Sequence, residues 1–287
     1  MIALPPGRLA LLDRPPRHLF FTGKGGVGKT SIACAVSLAL ADAGRSVLLV
    51  STDPASNLDE MLGARLTDRP SAVPGADRLA AMNIDPGRAA DAYRARVLAQ
   101  MGDGATARER DEVREQLSGA CTTEIAAFDE FVGLLAGDEA GYDHIVLDTA
   151  PTGHTLLLMD ATGAYHRQMT RELAPKPGSG RIVTPLMRLQ DPAYTHVVIV
   201  TLPETTPVTE AAALQEDLRR ARIEPFAWVV NRSLAAAGTR DKLLRRRLAG
   251  ELAQIERVRR SLSSNVFVLP WQPSPPVGFA ALAALAA

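Results

Sequence analysis

The sequence predicts an α/β fold, a mostly parallel sheet covered by helices on both faces, and three observations predict it. First, the apolar run His18–Thr22 feeds a glycine-rich loop, Gly23-Lys-Gly-Gly-Val-Gly-Lys-Thr-Ser31, which opens directly into the helix-length stretch Ile32–Ala41. Second, another apolar run, Val47–Ser51, follows at once. This makes a strand–helix–strand unit whose crossover is expected to be right-handed. Third, strand-length apolar runs recur at Leu79–Ile84, Ile145–Asp148, Val197–Thr201, Ala227–Asn231 and Val266–Leu269. They read as near-continuous apolar segments, the pattern of strands buried on both sides.

Taken in order, residues 1–16 carry Pro5, Pro6, Pro15 and Pro16 and read as a loose lead-in. The first helix should run to about Ala43, with Gly44 as its C-cap. The strand from Val47 ends in an acidic turn at Asp53-Pro54. The interval from about 88 to 135 is too long for a simple crossover and mostly helical in pattern, so it is expected to form a helical subdomain at the carboxyl edge of the sheet. Residues from about 165 to 190 contain Pro175, Pro177, Gly178, Gly180 and Pro185, which predicts a mobile loop. Between Asp241 and Ser263, Leu244, Leu248, Leu252, Ile255 and Leu262 share one side of a helix, while Arg245-Arg246-Arg247 read as its solvated face. Residues 1–287 together are expected to make one nucleotide-binding domain.

The glycine-rich loop carries the chemistry. Gly23, four residues, then Gly28-Lys29-Thr30 is the spacing of a phosphate-binding loop, in which backbone N–H groups and a helix N-terminus cradle a polyphosphate. Gly25, Gly26 and Gly28 leave room where a Cβ would meet phosphate oxygens. Lys29 would reach the terminal phosphates, the Thr30 hydroxyl would hold Mg²⁺, and Val27 and Ser31 complete the cradle. Lys24 is a second lysine that the loop does not need for its own nucleotide. Only Lys24, Lys29, Lys176 and Lys242 are lysines in the whole chain, so two of them in one loop point to function. Asp148 closes the apolar strand from Ile145, where a carboxylate can hold the metal's water shell. Asp53, at another strand end, could orient the attacking water. For both carboxylates the competing role is a turn or helix cap.

Three segments together resemble the arsenite-pump ATPase family, whose phosphate loop is deviant and which includes the targeting ATPases for tail-anchored membrane proteins. These are Phe21–Thr30, Ser51-Thr-Asp-Pro-Ala-Ser-Asn57 and Asp148-Thr-Ala-Pro-Thr-Gly-His-Thr155. The resemblance continues through Gln116–Glu130, Leu202–Pro207, Val229–Arg232 and Pro270-Trp-Gln, and covers nearly everything from residue 17 onward. It implies a P-loop NTPase fold and an ATP hydrolase using ATP and Mg²⁺. It gives Lys24 a role across a dimer interface, at the phosphates held by the other half, and Asp53 the water-positioning role. It also implies that Asn231 contacts the adenine, with the loop from Pro270 covering the base. Cys121 and His154 match positions where the family binds arsenite or antimonite as an activator, although Cys121 also reads as a small buried hydrophobe. The best-known bacterial members carry two such halves in one chain and this sequence has one, so a homodimer is implied. Further implied partners are a membrane efflux channel subunit and a metallochaperone. The implied location is cytoplasmic, at the inner face of the membrane through the pump partner.

Composition narrows the alternatives. Lys plus Arg and Asp plus Glu are both 32, so nothing global recommends a nucleic-acid partner. Two cysteines cannot make a disulfide framework, and Cys34 falls on the apolar side of the first helix as a core residue. The N-terminus does not read as a signal peptide. A targeting factor for tail-anchored proteins would bring a Cys-x-x-Cys clasp and a methionine-rich helical insert. The chain has no Cys-x-x-Cys, and Met101 is the one methionine between Arg88 and Glu130. An arsenite or antimonite efflux ATPase is therefore the leading reading, with the targeting factor as the alternative.

Overall fold

The computed structural model describes residues 14–52, 57–101, 106–119, 122, 123, 126, 130, 141–148 and 185–286. In chain order the elements are β1 (His18–Thr22), α1 (Lys29–Asp42), β2 (Val47–Ser51), α2 (Leu58–Leu62), β3 (Ser71–Ala72), β4 (Leu79–Asn83), α3 (Pro86–Gln100) and α4 (Ala107–Gln116). There follow β5 (His144–Asp148), α5 (Pro185–Gln190), β6 (Thr195–Thr201), α6 (Thr205–Arg220), β7 (Ala227–Ser233), α7 (Leu234–Ala237), α8 (Lys242–Arg245), α9 (Leu248–Arg257), β8 (Val266–Pro270) and α10 (Phe279–Ala286).

The strands form one 8-stranded sheet in the order β3-β4-β2-β5-β1-β6-β7-β8. Every pairing is parallel except that of the short edge strand β3 with β4. Successive side chains point to opposite faces, and both faces are covered. Leu19, Phe21, Leu49, Val146, Val198 and Val229 pack on the α1 side, whereas Leu48, Ile145, Leu147, Ile199, Trp228 and Val230 pack under α6 and α9. That explains why the strands read as unbroken apolar runs. The sheet and its helices are the P-loop NTPase arrangement that the resemblance implies.

Helix α1 is buried on nearly all sides, from Ile32 through Leu38, because the sheet lies against one side and α10 against the other. A helix with no solvated stripe belongs in an interior. Ser37, its buried hydroxyl residue, donates to the Ala33 carbonyl at 2.8 Å and so leaves nothing unsatisfied. Gly44 follows the helix at φ 82°, as the C-terminal glycine expected there.

The helix expected over Asp241–Ser263 is instead broken. Asp241 caps the single turn α8 through the N–H groups of Leu243 and Leu244, at 2.8 and 2.9 Å. Helix α9 then begins at Leu248 and ends in a π-helical turn, Val258–Leu262. Of the five apolar residues on that stripe, only Ile255 is fully buried and the others are half-buried. The π turn is held by Gln215 of α6, which donates to the Leu262 carbonyl at 3.0 Å while accepting from the buried Trp228 indole at 2.7 Å. The elements α2 and β3 have no counterpart in the sequence reading, being too short to show periodicity. Within 88–135 the described residues hold α3 and α4, and Ala126 enters the core beneath the sheet. Of 165–190, only the stretch from Pro185 is described, as the helix α5, and the rest lies outside the described residues.

Candidate functional site

β1 lies between β5 and β6, so the loop that follows it emerges at the carboxyl ends of the sheet's central strands. Such an edge is where open parallel sheets hold ligands. Two glycines are sterically required. At Gly23, φ is 147° and a Cβ would sit 2.2 Å from the Val200 carbonyl oxygen. At Gly28, φ is 96° and a Cβ would sit 2.3 Å from the Asn231 amide nitrogen. Gly25 and Gly26 differ, because nothing lies within 4 Å of a Cβ built on either. Their exposed backbone leaves an open cradle over the N-terminus of α1, the shape and polarity a polyphosphate fits.

The charged groups converge on that cradle. Lys29 is 5% exposed, and its ammonium arches back to donate to the Lys24 carbonyl at 3.3 Å. The Thr30 hydroxyl donates to Asp148 Oδ2 at 2.6 Å, and Asp148 is fully buried. Strand register produces this contact, since Asp148 of β5 lies level with Phe21 of β1 and Ser51 of β2. A hydroxyl and a carboxylate at one rim of a phosphate cradle are the donor set that fits Mg²⁺, the hydroxyl as direct ligand and the carboxylate behind it through water. Asn231 is also tied in, its Nδ2 donating to the Val27 carbonyl at 2.9 Å and its Oδ1 accepting from Arg232 N–H at 2.9 Å. Each of these amide atoms keeps a second hydrogen-bonding position, so contact with a base remains open to it. Pro270 ends β8 level with Ser233, and Trp271 N–H donates to the Ser233 carbonyl at 2.9 Å. Lys24 points the other way. It is exposed and pairs with Glu210 of α6 at 3.4 Å.

Residues 16–189 match the anion-transporting ATPase family. The chain belongs to the anion-transporting ATPase family. It is 44% identical over 285 residues to an arsenical pump-driving ATPase of Escherichia coli, covering 98% of this chain and 46% of that protein. A second arsenical pump-driving ATPase, from Acidiphilium multivorum, is 44% identical over 91% of this chain and 42% of its own length. ATPase GET3A of Arabidopsis thaliana is 28% identical over 93% of this chain and 82% of its own length. The chain thus spans less than half the length of these arsenical pump-driving relatives.

For this family member the described residues gather Lys29, Thr30, Asp148 and Asn231 around the loop Gly23–Gly28, while Lys24 stands at its outer rim. Asp53, Cys121 and His154 lie outside the described residues. Among the described residues no group of three or more His, Cys, Asp or Glu side chains is placed to hold a metal ion. Cys34 lies one turn into α1, fully buried, and burial together with the Asp148 charge pushes its thiol far above the usual range. It is inert core, as its position in the sequence suggests.

Two residues that sequence reasoning missed hold Asn231 against the loop. Arg232 adopts φ 57°, a strained left-handed conformation, where the β7–β8 register shifts between Val230 and Ser233. This irregularity turns Asn231 toward the loop. The carboxylate of Glu251, 6% exposed, stabilises it by accepting from Ser233 Oγ at 2.5 Å, Leu234 N–H at 3.0 Å and Ala235 N–H at 2.9 Å. A carboxylate at the N-terminus of α7 also matches the helix dipole. Glu251 follows the loop it anchors by a full helix, and no local motif marks that distance.

Proposed function

We propose that this chain is a nucleotide-binding half of a dimeric, Mg²⁺-dependent ATPase that energises efflux of arsenite or antimonite through a membrane pump subunit. The observation that carries the catalytic part is the Thr30–Asp148 hydrogen bond at 2.6 Å beside a phosphate loop with two lysines. The 44% identity with arsenical pump-driving ATPases supports the metalloid part.

In this reading the loop N–H groups bind the phosphates, and Lys29 exchanges the Lys24 carbonyl for a phosphate oxygen. Mg²⁺, held by Thr30 with Asp148 behind it, would neutralise charge on the phosphates. Asp53 orients the attacking water, and Asn231 with the Pro270 loop positions the base. Lys24 acts on the nucleotide of the opposing half, and its ammonium stabilises charge that develops in the transition state. The second half is another copy meeting the first across a two-fold interface. Cys121 and His154 supply thiolate and imidazole ligands for arsenite or antimonite as an activator. A metallochaperone delivers the metalloid, and the protein works in the cytoplasm at the inner face of the membrane through its pump partner.

The test is ATPase rate against antimonite concentration for wild type, Lys24→Ala and Cys121→Ser. The wild type should be stimulated, Cys121→Ser should lose the stimulation, and Lys24→Ala should lose turnover while still binding ATP. Full activity of Lys24→Ala, or of a monomeric sample, overturns the role across the interface. Absence of stimulation in the wild type favours the alternative, an ATP-dependent targeting factor for tail-anchored membrane proteins, to which the 28% identity with ATPase GET3A lends its weight.

A further inference from the structure

Between Arg232 and Arg260 the sequence holds nine Lys or Arg residues against three acidic ones, in a chain whose formal net charge is zero. The three acids do little to neutralise them. Glu251 is buried against Ser233, Asp241 is engaged in capping α8, and Glu256 pairs with Arg260. Arg247 is paired with Glu204 at 3.1 Å. Arg232, Arg240, Lys242, Arg245 and Arg246 are all exposed, and among the described residues none has a carboxylate within 4.0 Å.

The same surface is also apolar at its tip. Leu243, in the middle of α8, is 70% exposed, more than any other large hydrophobic residue described. It stands between Lys242 and Arg245 on a helical turn that has no buried residue and that Asp241 holds in place. Trp271, 45% exposed, lines the neighbouring cleft together with Leu244, Arg232 and Arg246. A solvated charged face has no use for a projecting leucine. An acidic protein or nucleic acid would explain the arginines but leave Leu243 and Trp271 idle. Anionic headgroups over an acyl boundary account for all of them, because basic side chains meet phosphate, an indole sits at headgroup level and an aliphatic tip enters the boundary.

We propose that α8 and its flanking arginines form a docking face for an anionic lipid bilayer, which holds the protein at the membrane surface independently of any pump subunit. Each basic side chain at such a surface multiplies partitioning about fivefold. The face lies at the carboxyl edge of β7 and β8, beside the β7 irregularity that aims Asn231 into the nucleotide loop.

The experiment is cosedimentation of the full chain with vesicles of phosphatidylcholine alone and of phosphatidylcholine with phosphatidylglycerol, in low and in 0.5 M salt. Binding is expected to the anionic vesicles only and to fall steeply with salt. The pair Arg245→Glu with Arg246→Glu should lose it at least tenfold, the pair Arg245→Lys with Arg246→Lys should keep it, and Leu243→Ser should lower it about tenfold. Each variant is checked for unchanged ATP binding, in which Leu243, Arg245 and Arg246 take no part. Equal binding to neutral vesicles, no binding to anionic ones, or wild-type binding by the Arg→Glu pair overturns the proposal. Retention on polyglutamate or an oligonucleotide without vesicle binding assigns the face to a polyanionic chain and overturns it equally. Because the vesicles contain no pump and no metalloid, failure here leaves the efflux reading standing.

Discussion

Two glycines of the phosphate loop, Gly25 and Gly28, answer to different needs. Gly28 is a structural glycine, since its φ of 96° disfavours any side chain and its missing Cβ is where the Asn231 amide lies. Gly25 has open space above it and is needed only if something else fills that space. The two substitutions should therefore separate. Gly28→Ala is expected to lower stability by about 1–3 kcal/mol and to weaken ATP binding, because it displaces Asn231 as well as straining the loop. Gly25→Ala should leave the thermal midpoint unchanged yet reduce ATP affinity at least tenfold, as measured by calorimetric titration with Mg²⁺ present. Wild-type affinity in Gly25→Ala would remove phosphate from the space above that residue. The glycine spacing was legible in the sequence as a phosphate loop, but the reason for Gly28 was not, since a Cβ there was expected to meet phosphate oxygens and instead meets the Asn231 amide, brought in from β7. Thr30 and Asp148 were legible as one site for a different reason, since the loop motif assigns the hydroxyl to Mg²⁺ and a carboxylate closing a neighbouring apolar strand faces the same metal, although a turn or cap competed for Asp148.

At the scale of elements, what could not be read was how Asn231 is held. Asn231 was visible as the end of a strand, but its direction depends on the register shift after Val230 and on the left-handed Arg232. Directly after both, Glu251 arrives from α9 and satisfies Ser233 Oγ and two N–H groups of α7. Sequence reasoning placed Glu251 within an amphipathic helix, where a glutamate looks like one more solvated charge. The same blindness turned α8 and α9 into one helix, because the cap at Asp241 and the break before Leu248 do not disturb the apolar spacing. Glu251→Ala would leave the Ser233 hydroxyl and the α7 N–H groups without their partner in a buried setting, at a cost of about 2–4 kcal/mol. Urea denaturation should show that loss, with Glu251→Gln intermediate, since an amide oxygen still accepts but the charge is gone. A loss no larger than that of an exposed glutamate such as Glu216 would mean that β7 keeps its end without this anchor.

Across the whole molecule, the two ends of the sheet have opposite character. The carboxyl end carries the loop, the carboxylate and the strained β7 crest. The amino end is closed by three histidines at the starts of neighbouring strands, His18 of β1, His144 of β5 and His196 of β6. His144 Nδ1 lies 2.8 Å from the Pro16 carbonyl, which can only accept, so that nitrogen carries the proton. His196 stacks on Phe226 with ring centroids 3.6 Å apart, and its pKa is lowered by burial. His18 is fully buried, and burial together with the nearby Arg17 and Arg188 guanidinium groups lowers its pKa from 6.5 to about 4. The folded state therefore keeps His18 neutral where the unfolded chain takes up a proton. The stability associated with neutral His18 is fully present above pH 6.5, falls as the pH drops toward 4, and changes no further below that. The full difference is about 3 kcal/mol, and His196 adds to it with the same sign. Urea midpoints measured from pH 7.5 to pH 4.5 should decline across this window, before carboxylate protonation dominates, and His18→Leu should flatten most of the decline. An unchanged slope in His18→Leu would place the acid sensitivity elsewhere. Because His18 lies at the end of the sheet away from the phosphate loop, bound ATP should shift the midpoints at every pH without altering their dependence on His18.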